Sequence, residues 1–394
     1  MRIVDICAFY APRGGGVKTY VERKLQAARP GEQEIIIVAP GDRDGVVMEA
    51  PAGRIISIAA PRFPLDRRYH YFDDEPRLHA LLDRLRPDVV EASSPWSSPA
   101  MVARWRGPAL RSLVMHADPL SAYAYRWFGP VASRRTIDRG FDWFWRHLRR
   151  LDDGFDLVVS ASAGLSARLR DGGLRKVATV PMGVTPGVFS PDRRDEALRA
   201  ELLARCGLRP DATLLIGLGR HAPEKRWPMV IEAVTGAGYA NPVGLVVLGE
   251  GRDRTRVIRA TRSNPHIYLG RPETDRQRLA TILASADALV HGCEAETFCM
   301  VAAEAKASGL PLIVPDQGGA SDQFVEGQGA RYRACSTTSL AEAIRRFAAT
   351  MPAHQRAEAS RDAAGVMTMD AHFERLFATY AEALAMRTGL RDAA

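Results

Sequence analysis

The sequence lacks any hydrophobic run long enough to cross a bilayer. Its longest apolar runs, residues 34–40 and 212–219, fall far short of the roughly 20 residues that a transmembrane helix requires. The N-terminal residues also lack a separate apolar segment followed by a small-residue cleavage site. We therefore expect a protein that neither spans a membrane nor is exported, and that resides in the cytoplasm.

Cysteine is scarce and metal-binding spacings are missing. The five cysteines are Cys7, Cys206, Cys293, Cys299 and Cys335. An odd number at irregular positions favours reduced thiols over a disulfide framework, and none has a second Cys or a His at a zinc spacing. The acidic pairs Asp73-Asp74 and Asp152-Asp153 are adjacent residues in segments expected at the surface. We therefore predict no metal site.

Aromatic residues make up only 7% of the chain, but they are concentrated in one basic segment. Segment 104–150 holds nine aromatic side chains and ten arginines against three aspartates, which is nearly the whole formal charge of +8. Two explanations stay open: helices that bury aromatics while guanidinium groups reach solvent, or a surface that lies on anionic lipid. A nucleic-acid surface is disfavoured because no recognised nucleic-acid motif accompanies the segment.

The rest of the chain alternates between short apolar runs and helical periodicity, which predicts an α/β fold with doubly wound parallel sheets. A stretch rich in Pro and Gly, residues 181–191, separates two such series. We predict an N-terminal Rossmann-like domain over residues 1–185 and a second over residues 186–370. An amphipathic helix in residues 371–394 is predicted to pack back on the first domain. A crevice between two such domains is the expected ligand site.

Two glutamates eight residues apart, Glu296 and Glu304, flank a predicted helix start. Eight helical residues leave two side chains about 80° apart, which suits one glutamate at the helix entrance and one a turn or two inside. The free N–H groups of residues 297–300 at that helix terminus favour an anion such as a phosphate. Taken alone, the pair is a weak signal and is more typical of solvated helix residues.

The string around these glutamates resembles the E-x7-E signature of the retaining GT-B glycosyltransferases that use nucleotide-sugar donors, the family 4-like "glycosyl transferases group 1". Further segments resemble motifs of that family in the same order. They are Gly14-Gly15-Gly16, His116-Ala117-Asp118, Gly183-Val184 with Phe189, Gly219-Arg220 with Glu224-Lys225, Gly249-Glu250-Gly251, Leu269-Gly270 and Gly318-Gly319. The resemblance covers nearly the whole chain and implies the GT-B fold, with the donor in the second domain and the acceptor in the first.

The resemblance also implies individual roles. Its catalytic residues are His116 on the donor sugar, Glu296 on the sugar hydroxyls, and Arg220 and Lys225 on the leaving diphosphate. Cationic forks and point charges suit a diphosphate, and carboxylates suit vicinal hydroxyls. The implied donor-binding residues are Gly15, Gly16, Gly219, Gly249, Gly270, Arg271, Thr297, Phe298, Cys299, Met300 and Glu304, the last on the ribose. The acceptor-side candidates are Arg13, Lys18 and Asp118.

Three positions depart from the family pattern. Thr185 replaces the usual Asp after Gly183-Val184, His291-Gly292 replaces a common Pro-Ser, and Arg226 stands where a Gly often follows the Lys. These departures affect the identity of the donor more than the reaction.

The resemblance thus implies a retaining hexosyltransferase that needs no cofactor and no divalent metal. UDP-glucose is placed slightly ahead of GDP-mannose as the donor, and the expected acceptor is a hydroxyl of a membrane lipid or lipid-linked glycan. The enzyme would then lie at the cytoplasmic face of an anionic membrane as a peripheral protein, with no nucleic-acid partner. Alternatives are an enzyme with a soluble small-molecule acceptor, one that hydrolyses or epimerises a nucleotide sugar, and a membrane-associated nucleotide-binding protein without transferase activity.

Overall fold

The computed structural model describes residues 1–10, 16–64, 69–93, 97–115, 118, 120, 124, 128, 133–236, 238–239, 241–350 and 352–392. The chain divides into two compact units. The first comprises Met1–Ala117, Ala132–Pro181 and Asp370–Ala394, and the second comprises Asp118–Val131 and Met182–Met369. The main division therefore falls four residues before the boundary predicted from the sequence.

An eight-stranded sheet forms the centre of the first unit. Its strands are β1 (Arg2–Ile6), β2 (Glu34–Gly41), β3 (Gly45–Ala50), β4 (Gly53–Ala59), β5 (Val89–Ser93), β6 (Leu110–Met115), β7 (Leu157–Ser160) and β8 (Val177–Thr179). They lie in the order β3-β4-β2-β1-β5-β6-β7-β8. All neighbours pair in parallel except β3 and β4. The central strands are apolar runs buried on both faces, as parallel sheets require.

Helices connect these strands. They are α1 (Gly16–Ala27), α2 (Glu75–Leu85), α3 (Ser97–Arg104), α4 (Arg134–Gly140), α5 (Asp142–Gly154) and α6 (Ala163–Asp171). Local capping fixes several of their starts: Asp74, for example, accepts the backbone N–H of Arg77 at 2.9 Å at the beginning of α2. Within the described part of the chain, no helix is both long and apolar enough to cross a membrane.

The second unit is built on a six-stranded parallel sheet. Its strands are β9 (Thr213–Leu218), β10 (Val243–Leu248), β11 (Ile267–Gly270), β12 (Ala288–Val290), β13 (Leu312–Pro315) and β14 (Gly329–Tyr332). Their order is β11-β10-β9-β12-β13-β14. The helices are α7 (Glu196–Arg205), α8 (Trp227–Thr235), α9 (Arg254–Thr261), α10 (Arg276–Ser285), α11 (Met300–Ala307), α12 (Gly319–Asp322), α13 (Thr337–Ala349) and α14 (Pro352–Asp362).

The winding of each sheet reverses beside its first strand. In the second unit β9 lies between β10 and β12, and in the first unit β1 lies between β2 and β5. Ligands of doubly wound sheets bind beyond the carboxyl ends of the strands at such a reversal. In the second unit this position is occupied by the segments that follow β9 and β12, which contain Gly219-Arg220 and His291 to Glu296.

The C-terminal helix α15 (Met369–Asp392) packs within the first unit. Phe373, Leu376, Phe377 and Tyr380 are buried, and their spacing is the helical periodicity seen in the sequence. The ring of His372 is fixed by two hydrogen bonds, since its Nδ1 donates to the carbonyl of Pro181 at 2.8 Å and its Nε2 lies 3.1 Å from the hydroxyl of Tyr20.

A buried charged cluster lies beneath α15. We call Lys24, Asp5, Glu91 and Tyr380 the Lys24 cluster. The Lys24 ammonium is 2.6 Å from Glu91 and 3.0 Å from Asp5, and the Tyr380 hydroxyl donates to Glu91 at 2.7 Å. All four side chains are essentially inaccessible to solvent. The single ammonium group of Lys24 therefore contacts two buried carboxyl groups.

One strand has no signal in the sequence, and one expectation about exposure is wrong. Strand β3 has no alternating burial because Val46, Val47 and Met48 are exposed on this antiparallel edge, so its sequence carries no periodic signal. Asp152 is buried rather than at the surface, and it accepts the backbone N–H groups of Arg175 and Lys176 at 3.1 and 3.2 Å.

The basic aromatic segment divides into packed and exposed parts. Trp105, Phe144 and Trp145 are buried in the first unit, which accounts for these side chains by packing alone. Trp143 and Phe128 retain 55% and 44% exposure. Packing therefore explains only part of the segment.

Candidate functional site

The turn after β9 presents Arg220 at the sheet edge. Gly219 adopts φ 145°, a region that other residues rarely enter. The carbonyl of Arg220 accepts the indole N–H of the buried Trp227 at 3.0 Å, which fixes the backbone. Its side chain is 78% exposed and lies 3.3 Å from Glu224. A guanidinium group on a fixed backbone is thus available to an anion.

The Gly249-Glu250-Gly251 turn packs against the backbone of this first turn. A Cβ atom on Gly249 would lie 1.9 Å from the carbonyl oxygen of Gly219, and one on Gly251 would lie 2.4 Å from that of His221. The N–H of His221 donates to the Glu250 carbonyl at 2.9 Å. Only glycine permits this close approach, which gives the G-x-G pattern a structural reason.

Lys225 and Glu296 form an ion pair at the carboxyl ends of the strands. The Lys225 ammonium contacts the Glu296 carboxylate, and their side chains are 15% and 26% exposed. Burial disfavours both charges, but their attraction outweighs it, so the pKa of Lys225 is raised and that of Glu296 is lowered. The pair therefore stays charged at neutral pH. Lys225 lies 71 positions from Glu296 in the sequence, and the fold brings them together.

His291 and Cys299 lie next to the Lys225–Glu296 ion pair. The His291 Nε2 atom lies 3.7 Å from both the Cys299 Sγ and the Glu296 Oε1 atoms. Burial and the nearby Lys225 lower the pKa of His291 to about 4, so the ring is neutral. Burial also raises the pKa of the Cys299 thiol.

These three side chains are the one group among the described residues that resembles a metal ligand set, with ligand atoms within 4.8 Å of one another. The arrangement does not fit a cation well. The ammonium of Lys225 already occupies the Glu296 carboxylate, and the Cys299 thiol is protonated. A metal ion would have to displace the cation that the resemblance assigns to the diphosphate.

A second ion pair lies next to the first. Arg226 adopts the left-handed conformation with φ 51°, and its guanidinium contacts the Glu294 carboxylate at two atoms, one of them at 2.8 Å. The left-handed backbone explains why a glycine suits this position in related sequences. Here the bidentate contact with Glu294 holds an arginine there instead.

The glycine loop after β13 supports the segment that carries Glu296. The backbone N–H of Gly319 donates to the Glu296 carbonyl at 2.7 Å. A Cβ atom on Gly319 would lie 2.5 Å from the Phe298 nitrogen. Helix α11 begins at Met300 with Cys299 at its N-cap, so its free N–H groups start three residues later than the sequence suggested.

Glu304 lies inside α11 and is held by an unexpected partner. Its carboxylate accepts a 2.6 Å hydrogen bond from Arg276, and only 6% of its side chain is exposed. Burial raises the pKa of Glu304, and Arg276 opposes that shift. The Arg276 guanidinium also lies over the Phe189 ring, 5.0 Å from its centroid. Arg276 thus contacts both Glu304 and Phe189, which belong to two separate motifs of the sequence.

The remaining predicted residues are placed as follows. Gly270 ends β11 beside Leu248, and Arg271 follows it on the surface. In the first unit, Gly16 opens α1 and the Lys18 ammonium lies 3.8 Å from Glu22. Asp118 is buried and accepts the N–H of Leu120 at 3.0 Å. Arg13, Gly15 and His116 lie outside the described residues.

Three residues at this site could not be predicted from the sequence. Arg276 begins a helix far from Glu304 in the chain, and Glu294 precedes the signature. His221 is fully buried between the two turns, and burial lowers its pKa. No short motif contains any of these contacts, because each joins segments that are far apart in the sequence.

Two doubly wound α/β units, one carrying cations and carboxylates at its winding reversal, define a nucleotide-sugar glycosyltransferase of the GT-B class. Residues 14–187 match the family model "Glycosyltransferase Family 4", and residues 199–362 match "Glycosyl transferases group 1". The chain belongs to this family of glycosyltransferases. The family and the fold class inferred from the motifs are confirmed.

Curated relatives match most of the chain. A GDP-mannose-dependent alpha-mannosyltransferase of Mycobacterium tuberculosis (strain CDC 1551 / Oshkosh) is 29% identical over 345 residues, which cover 82% of this chain and 81% of the relative. A GDP-mannose-dependent alpha-(1-6)-phosphatidylinositol dimannoside mannosyltransferase of M. tuberculosis (strain ATCC 25177 / H37Ra) is 27% identical, with 92% of each chain covered.

Solved structures support the fold. Sucrose-phosphate synthase from Thermosynechococcus elongatus superposes with a TM-score of 0.75 over 98% of this chain and 100% of its own, at 18% sequence identity. At that identity the likeness concerns the fold alone.

Proposed function

We propose that the protein transfers mannose from GDP-mannose to a hydroxyl group of a lipid-linked acceptor. The observation that carries the proposal is the Lys225–Glu296 pair beside the exposed Arg220, at the winding reversal of the second sheet. The donor assignment rests on the GDP-mannose-dependent relatives. GDP-mannose therefore takes the place of UDP-glucose as the preferred donor, because the relatives do not support a preference for UDP-glucose.

The proposed chemistry follows from the charges of this site. A nucleotide diphosphate gains negative charge as it leaves, and the Arg220 guanidinium and the Lys225 ammonium are placed to neutralise it. The N-terminus of α11 adds partial positive charge. Glu296 would orient the sugar hydroxyls, and Glu304 would accept hydrogen bonds from the ribose. No divalent ion is needed, because protein cations meet the leaving group.

Retention is proposed from the family resemblance. The acceptor hydroxyl would attack the face from which the diphosphate departs, and the leaving phosphate would take the acceptor proton. The anomeric configuration of the product, read by NMR from its carbon–proton coupling, tests this step. An inverted product would overturn it.

The acceptor is proposed to be lipid-linked, in a reaction at the cytoplasmic face of an anionic membrane. One relative's name specifies a phosphatidylinositol dimannoside, and the exposed aromatics of segment 104–150 suit a peripheral association. An enzyme with a soluble acceptor would have no need of this surface and would not bind vesicles.

A nucleotide panel tests the donor. We expect GDP and GDP-mannose at saturating concentration to raise Tm by about 5 °C, because a ligand at a hundred times its Kd adds about 2.7 kcal/mol to stability. UDP and UDP-glucose should shift Tm by much less. EDTA should change neither the Tm shift with GDP nor the rate of the slow hydrolysis of GDP-mannose. A larger shift with UDP would overturn the donor, a need for metal would overturn the chemistry, and no response would remove the transferase proposal.

Replacing Arg276 by alanine is expected to make donor binding depend on pH. Burial already raises the pKa of Glu304, and Arg276 is the cation that opposes this rise. Without it the carboxyl should stay protonated to higher pH and should no longer accept two ribose hydroxyls. We expect KM for GDP-mannose to increase about tenfold at pH 6.5 and to recover toward pH 8.5.

The conservative variant Arg276→Lys is the control, since it keeps a positive charge and should show a smaller shift. If the KM of Arg276→Ala rose equally at all pH values, Arg276 would contact the donor directly, and its action through Glu304 would be ruled out.

A further inference from the structure

A cleft between α3 and α5 in the first unit has no part in the donor chemistry. It has a volume of about 570 Å³ and is lined by Ser97, Ala100, Trp143, Arg146, His147 and Arg150. We call it the α5 cleft. Its four lining residues on α5 stand at positions i, i+3, i+4 and i+7, so they share one face of the helix.

The opposite face of α5 holds the helix in place. Phe144, Trp145, Leu148 and Leu151 are buried against the unit. Trp143 contacts the rings of Phe141 and Phe144 along one edge, with centroid distances of 6.3 and 5.9 Å, but 55% of its surface remains exposed. A large exposed indole beside cationic groups is typical of a binding surface rather than of a solvated helix face.

The α5 cleft carries uncompensated positive charge. Arg146 and Arg149 share the single carboxylate of Asp142, each at 3.2 Å. Among the described carboxylates none pairs with Arg150. The cleft lining contains two guanidinium groups and no carboxylate, so an anion is the expected occupant.

We propose that the α5 cleft binds the phosphate of an anionic phospholipid headgroup. Arg146 and Arg150 would contact phosphate oxygens, and Trp143 would lie at the boundary between headgroups and acyl chains. This inference rests on the membrane association proposed above and names the residues that provide it. A neutral glycan would stack on Trp143 without needing two guanidinium groups, so the charges favour the phospholipid.

Vesicle sedimentation with the full chain tests the site. The probe is vesicles of phosphatidylglycerol and phosphatidylcholine, with pure phosphatidylcholine vesicles as reference, at 50 and 500 mM salt. Wild type should bind the anionic vesicles at low salt and release them at high salt. We expect the double variant Arg146→Gln with Arg150→Gln to lose at least tenfold in partition coefficient, because each cation near such a surface contributes about fivefold.

A matched control separates the cleft from general charge. Arg135 and Arg139 are exposed on the neighbouring helix α4 and do not line the cleft. The double variant Arg135→Gln with Arg139→Gln has the same net charge as the cleft variant. We expect it to bind the anionic vesicles at least tenfold more tightly than the cleft variant does. Trp143→Ala keeps the net charge unchanged and should still weaken binding to the anionic vesicles at 50 mM salt, since the contribution of the indole is not electrostatic.

Several results would overturn the proposal. They are equal losses in the two double variants, absence of binding by wild type, and displacement from the vesicles by a neutral mannose oligosaccharide, which would indicate a glycan site. The thermal shift with GDP should be the same in the cleft variant and in wild type, which verifies its fold. A missing GDP shift in wild type would count against the proposed donor, while the vesicle comparison would still decide the cleft.

Discussion

Replacing Lys225 by alanine is expected to lower the turnover of GDP-mannose by about a hundred- to a thousandfold. Removing one preorganised group that stabilises charge in a transition state typically has this effect. Lys225 is 15% exposed beside Glu296, and its raised pKa keeps the ammonium charged at neutral pH. The measurement is kcat for donor hydrolysis or transfer, with GDP binding followed separately.

The close contact with Glu296 allows a second explanation of such a loss. Lys225 either acts on the leaving diphosphate or only keeps Glu296 charged and in position. A double-mutant cycle distinguishes them. If Lys225 acts on the diphosphate, Lys225→Ala should still reduce turnover at least fiftyfold in a Glu296→Gln background. If it acts only through Glu296, the reduction should disappear there.

The neighbouring ion pair supplies the control. Arg226→Gly with Glu294→Gln removes two charges of similar burial next to the first pair, and glycine suits the left-handed backbone at Arg226. We expect kcat of this double variant to stay within about fivefold of wild type. A folded Lys225→Ala protein with near-normal turnover would contradict the assigned role.

The order and type of the buried elements could be predicted from the sequence because central parallel strands are continuous apolar runs. Helix α11, Met300–Ala307, begins between Glu296 and Glu304, as the spacing of the two glutamates predicts. Strand β3 was missed because its side chains face solvent and its pairing with β4 is decided by hydrogen bonds between strands. Exposure removes the alternation on which such predictions depend.

The site was predictable in its motifs but not in its pairings. The motif residues Gly219, Lys225 and Glu296 all lie where the second sheet reverses its winding. Arg276 was not found, because it contacts Glu304 across 28 residues and belongs to no local pattern. Composition also could not separate packing from a binding surface in segment 104–150, since arginine and tryptophan serve both.

Replacing Lys24 by methionine is expected to destabilise the first unit by about 3–5 kcal/mol, the usual effect of removing one partner from a buried ion pair. Lys24 lies 2.6 Å from Glu91 and 3.0 Å from Asp5, and none of the three side chains is appreciably accessible to water. Methionine has similar length, so the variant tests charge rather than volume. Hydrogen exchange of β1 and α1 in urea measures this unit separately from the second one.

The loss of stability caused by Lys24→Met should depend on pH. Burial, opposed by Lys24 and reinforced by Glu91, raises the pKa of Asp5 to about 7. Between about pH 4 and 7 the folded state therefore holds a proton on Asp5 that the unfolded state has released, so the contribution of Asp5 to stability falls as pH rises through this window. Without Lys24 both carboxylates would be unpaired when ionised. We expect Lys24→Met to destabilise the unit more at pH 8 than at pH 5, where the carboxyl groups can take up protons.

Asp5→Asn is the matched variant for this argument. It leaves the one-to-one pair of Lys24 with Glu91 and the hydrogen bond from Tyr380, while it removes the second carboxylate. Relative to wild type, the stability of Asp5→Asn should then rise from pH 5 to pH 8, because the variant no longer loses the proton of Asp5. An unchanged pH dependence in Asp5→Asn would mean that the excess proton resides on another group. A loss below about 1 kcal/mol in Lys24→Met would mean that the cluster relaxes or admits water once the ammonium is gone.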